Sequence, residues 1–151
     1  MNNYNAEKAA RVWQRVHSIP EISVPEAEAT QLAVLINTEW TDAAVFLHLS
    51  KRFSGRSAKM LQALHEQKHA HAACLKGIYV LLTGNQAVTQ TPALPQEPVQ
   101  VTLRRCYGRQ MQCLKQYEHL ASQPQYGPVF ARLARQEQEH CRILLEVLGS
   151  L

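Results

Sequence analysis

The sequence predicts an all-α protein: a bundle of four long helices, one long connection between the second and third, and a short extra helix at the N-terminus. Three observations predict it. Apolar residues recur at spacings of three and four through long stretches free of proline, the period of a half-buried helix. The chain also repeats itself at an offset of 71 residues, carrying Glu39 onto Gln110, Phe46 onto Tyr117, His48 onto His119, Leu49 onto Leu120 and Ala63 onto Ala134. Such an offset marks a duplicated helix pair. Between the copies, residues 84–98 are rich in Gly, Gln, Thr and Pro and have no apolar period. Extended, that segment reaches about 50 Å, more than the roughly 38 Å of a 25-residue helix, so it can cross the whole bundle.

The bulk composition fits one domain over residues 1–151, with 46% hydrophobic and 19% charged residues. No cationic-then-apolar leader opens the chain and no apolar run is long enough to span a membrane, so a cytoplasmic protein without a membrane partner is expected. The cysteines at 74, 106, 113 and 141 show no Cys-x-x-Cys spacing, which argues against a disulfide framework, a zinc ribbon or an iron–cysteine module. Net charge is +4. The basic residues at Lys51, Arg52, Arg56 and Lys59, and at Arg104, Arg105 and Arg109, read as solvated helix faces. They form no long stripe and lack aromatic interleaving, so no nucleic-acid partner is expected.

The short helix is expected over 5–17, capped by Asn5 with Ala9, Val12, Trp13 and Val16 on one face, and stopped at Ser18-Ile19-Pro20. The bundle then occupies about 24–150. Its first helix, 24–53, opens at the capping box Ser23-Val24-Pro25-Glu26 and turns Leu32, Leu35, Glu39, Ala43 and Phe46 inward. The second, 57–83, is expected to place Met60, Ala63, Glu66, Ala70, Ala73, Gly77 and Ile78 inside. The third, 99–122, buries Leu103, Cys106, Gln110, Tyr117 and Leu120, its cysteines reading as core packing. After the turn Pro124-Gln125-Tyr126-Gly127-Pro128, the fourth, 128–148, carries Phe130, Leu133, Glu137, His140, Leu144 and Leu148.

The chemistry gathers in two Glu-x-x-His runs, Glu66 to His69 and Glu137 to His140. Residues three apart share a helix face, so each pair can grip one metal ion. Glu39 lies within an apolar seam, where a carboxylate must be protonated, paired or metal-bound. Alone it reads as an ordinary buried ion pair; the duplication favours the metal. A competing His65-x-x-x-His69 zinc reading lacks a third ligand and has Gln136 in place of His65 in the repeat, while His48, His71 and His119 read as surface or satisfied core histidines.

Over roughly residues 25–150 this pattern resembles the ferritin-like dimetal-carboxylate superfamily, and within it the rubrerythrin-type domain. That site takes one Glu from each of two helices and Glu-x-x-His from the other two. The resemblance implies metal ligands at Glu39, Glu66, His69, Gln110, Glu137 and His140, with Gln110 standing where the family has a fourth carboxylate. It implies two ions, iron by the family, although the ligand types also suit manganese or zinc. The position that Gln110 shares with Glu137 and His140 is the one expected to be weak or empty. It implies a homodimeric oxidoreductase acting on peroxide or dioxygen, fed by a separate electron-donor protein. The alternative is a metal-binding or degenerate bundle, structural or partner-binding, without redox turnover.

Overall fold

The computed structural model describes residues 26–151, so the expected helix at 5–17 and the start of the capping box at Ser23 lie outside the described residues. Four α-helices make up the described chain: α1 Glu26–Ser50, α2 Gly55–Thr83, α3 Val99–Leu120 and α4 Gly127–Gly149. No strand occurs among the described residues, and each helix boundary falls within three residues of its expectation. The helices pack as a bundle: α1 lies against α2 and α3 against α4, with contacts between α2 and α4 and between α1 and α3 joining the two pairs.

Two turns of unequal length close these pairs, residues 51–54 in the first and 121–126 in the second. The longer one ends tightly. A Cβ built on Gly127 would sit 2.5 Å from the carbonyl oxygen of Ala121, too close for any other residue without moving backbone. Gly127→Ala is therefore expected to lower stability by about 1–3 kcal/mol, the usual cost of overpacking. Urea unfolding checks this, and an unchanged midpoint would contradict the close approach. At the end of α2, Gly84 adopts φ 72° and its N–H donates to the Val80 carbonyl at 2.8 Å, a left-handed cap that glycine accommodates freely.

The connection over 84–98 is pinned halfway along α1. Asn37 Nδ2 donates to the Val88 carbonyl at 3.1 Å, and the Gln90 N–H donates to Asn37 Oδ1 at 2.9 Å.

The apolar core falls into two clusters. One gathers Leu32, Leu35, Leu75, Ile78, Tyr117, Leu120, Phe130 and Leu133. The other gathers Phe46, Leu49, Leu61, Leu64, Leu103, Leu144 and Val147. Between them the helices contribute Glu39, Asp42, Lys68, His71, Gln110, Glu137 and His140, all buried. A layer with this many ionisable groups is costly unless its members satisfy one another.

Candidate metal centre

Four of the six expected ligands converge in that layer. Glu39, Gln110, Glu137 and His140 are each 0% exposed and come from α1, α3 and α4. The other two do not. Glu66 and His69 are exposed on the outer face of α2, where the His69 ring packs edge-on to Trp40 at 4.9 Å and to His65 at 5.1 Å. The expected inner face of α2 is corrected with them: Ala70, Ala73 and Gly77 are exposed, while Leu61, Leu64, Lys68, His71, Leu75 and Ile78 point inward. His65 turns its Nδ1 to the Ala43 carbonyl at 2.8 Å.

The repeat is not uniform: the offset of 71 relates α3 to α1, but the buried faces of α4 and α2 align at 69. At 69, Leu61 pairs with Phe130, Leu64 with Leu133, Leu75 with Leu144 and Ile78 with Val147, all buried. The same register sets Lys68-x-x-His71 opposite Glu137-x-x-His140. The structural counterpart of the second run is thus not Glu66 to His69 but a run that begins with lysine.

Lys68 is fully buried, and its Nζ lies 2.7 Å from Glu137 Oε1 and 2.9 Å from Glu39 Oε2. Burial opposes its charge, but Glu39, Glu137 and Asp42 outweigh burial and raise its pKa above the ordinary lysine value. Glu39 also accepts a hydrogen bond from the Tyr117 hydroxyl at 2.6 Å, and that contact together with burial holds the phenol protonated. Burial would favour a protonated Glu137; Lys68 above all, with His71, reverses that and lowers its pKa.

His71 is not the idle histidine that its sequence context suggests. Its Nδ1 lies 3.1 Å from Glu137 Oε1 and 3.5 Å from Glu39 Oε2, and its Nε2 lies 2.9 Å from Gln136 Oε1. Both ring nitrogens face acceptors, the arrangement of an imidazolium. Burial favours the neutral ring, yet the hydrogen bonds to Glu137 and Glu39 raise the pKa to about 9.

Asp42, which the sequence reading passed over, completes the layer. Its carboxylate accepts from Arg109 Nε at 2.8 Å and from Gln110 Nε2 at 2.8 Å, with Arg109 Nη2 at 2.6 Å. Burial still pushes the Asp42 carboxyl above its usual range, against Lys68 and Arg109. Glu39, Asp42 and Glu137 therefore face Lys68, Arg109 and protonated His71, three against three. The Gln110 amide is held as a donor to Asp42 rather than offered as a metal ligand.

A pair of divalent ions does not fit these residues. The ammonium of Lys68 sits between the two carboxylates that would bridge such a pair, and Glu66 and His69 are too far round α2 to contribute. A single ion fits better. One nitrogen from each of His71 and His140 and an oxygen of Glu137 all lie within 4.8 Å of one another, so this cluster could hold a metal ion. His140 Nε2 meets Gln67 Oε1 at 2.6 Å, and with the ring proton placed there Nδ1, 3.5 Å from Glu137 Oε1, offers its lone pair. Burial lowers the His140 pKa, in keeping with a neutral ring. That Nδ1 and Glu137 Oε2 are buried without hydrogen-bond partners. A cleft lined by Gln67, Ala70, His71, Cys74, Arg132 and Gln136 reaches the His71 edge from outside.

Comparison with protein-family models, curated proteins and solved structures returns no match.

Proposed function

We propose that this chain is a ferritin-like bundle that binds one divalent metal ion at His71, Glu137 and His140, without two-metal redox turnover. The ferritin-like topology is supported by the core clusters. Leu61 at the start of α2 and Leu103 at the start of α3 share one cluster, and Ile78 and Leu120 near their ends share the other, so α2 and α3 run the same way. Residues 84–98 then serve as the single long crossover of that topology.

The observation behind the single ion is the pair of unpartnered acceptors, His140 Nδ1 and Glu137 Oε2, beside His71. Buried acceptors facing one another ask for a cation. His71 gives up its Nδ1 proton to serve as a ligand, so binding weakens as pH falls below about 9. Imidazole with carboxylate suits iron, manganese or zinc. Peroxide or dioxygen reduction with a separate electron donor has less support, because the lysine ammonium holds Glu39 and Glu137 away from a second ion.

Metal content measured after equilibration of the folded protein with Mn²⁺, Fe²⁺ or Zn²⁺ is expected to reach one ion per chain and no more. His140→Ala is expected to abolish it while leaving the helical circular dichroism intact. A folded wild type that retains no ion, or an alanine variant that binds as well as wild type, would overturn the assignment.

A further inference from the structure

We infer that Lys68 is the resident cation of this centre, a lysine standing at the structural position of a metal-binding glutamate and doing with one ammonium the charge balancing that metal ions would otherwise do.

Register is the first argument. With α2 and α4 aligned by their buried leucines, Lys68 and His71 occupy the positions of Glu137 and His140. Across α1 and α3, Glu39 is matched by Gln110 in the same way. Placement is the second. Lys68 Nζ contacts an oxygen of Glu39 at 2.9 Å and one of Glu137 at 2.7 Å, joining carboxylates from α1 and α4 that lie 98 positions apart in the chain. An ammonium at that point binds the same two oxygens that a bridged ion would, and like charges exclude each other from such a space. Gln110 is the third. Its amide nitrogen is committed to Asp42 at 2.8 Å, and its Oε1 is buried without a partner, left over in a layer otherwise rich in contacts. Glutamine there and lysine at 68 both move the layer away from negative charge. A site that loses a carboxylate on one helix and gains an ammonium on another has exchanged metal charge for protein charge.

With Asp42 set aside on Arg109, two side chains therefore separate Glu39, Lys68, His71, Gln110, Glu137 and His140 from a full set of four carboxylates and two histidines. The double substitution Lys68→Glu and Gln110→Glu tests this. Metal content after refolding and equilibration in Mn²⁺ or Co²⁺ is expected to rise to two ions per chain, against at most one in wild type. A double variant that is helical and monodisperse yet binds no more ions than wild type would overturn the inference. The Lys68→Gln variant keeps the test decisive should the double variant fail to fold. It removes the competing charge with little change in length, so Mn²⁺ affinity is expected to increase on the order of tenfold or more, the effect of about 1.4 kcal/mol. Unchanged affinity in folded Lys68→Gln would contradict a charge-balancing role. A wild type that binds no metal at all would remove the single-ion reading while leaving this one standing, provided the variants gain ions.

Discussion

Replacing Lys68 with methionine lowers stability at pH 7 by about 3–5 kcal/mol, the usual result of removing one partner from a buried ion pair. Methionine keeps most of the length and packing of lysine and removes only the charge. Glu39 and Glu137 are both 0% exposed and would be left with His71 as the remaining cation between them. The loss should shrink as the buffer is taken toward pH 5, because unpaired buried carboxylates take up protons and cease to repel. Urea unfolding of both proteins at pH 7 and pH 5 measures this. Equal midpoints at pH 7 would mean that the ammonium does not hold the core together.

Raising pH through about 9 is expected to cost the wild type on the order of 3 kcal/mol, and His71 is the cause. Its pKa rises from 6.5 to about 9 on folding, so the folded state binds the proton more tightly. The corresponding stability is fully present below pH 6.5 and is lost as pH climbs through about 9. Glu137 behaves in the opposite sense: its pKa is lowered, so its contribution is present above its ordinary value of 4.5 and is lost as pH falls. Stability should therefore peak in mildly acidic buffer, between those limits. His71→Gln should flatten the alkaline limb and leave the acid limb in place. If wild type and variant lose stability alike between pH 6.5 and 9.5, His71 is not protonated in the fold.

The helices and their order were legible from apolar periodicity, and the bundle centre was legible from the duplication. Glu39, Gln110, Glu137 and His140 all stand where the spacing puts them, because each interrupts an apolar seam on its own helix. Glu66 and His69 did not follow, for a specific reason. The offset is 71 between α1 and α3 but 69 between α2 and α4, and two residues on a helix rotate a side chain by about 200°. The signal that finds the right face is the run Leu61, Leu64, Lys68, His71, Leu75, Ile78, alternating at three and four with larger apolar residues at both ends. Ala70, Ala73 and Gly77 mimic a close-packing interior face but lie exposed. A lysine in the middle of a leucine seam reads as a flaw in the pattern until its partners are known. Glu39 shows the converse: the ordinary ion pair set aside in favour of a metal is the interaction the fold makes.

Lys68, rather than a metal ion, holds Glu39 and Glu137 together. The direct measurement is the ¹H–¹⁵N correlation spectrum of lysine side chains in metal-stripped protein. A buried Lys68 ammonium hydrogen-bonded to Glu137 and ion-paired with Glu39 is expected to give a signal protected from solvent exchange at pH 7, absent from Lys68→Met and persisting until the protein unfolds in alkali. A folded, metal-stripped wild type whose spectrum is unchanged by removing Lys68, or whose Lys68 titrates as a neutral amine below pH 9, would contradict it.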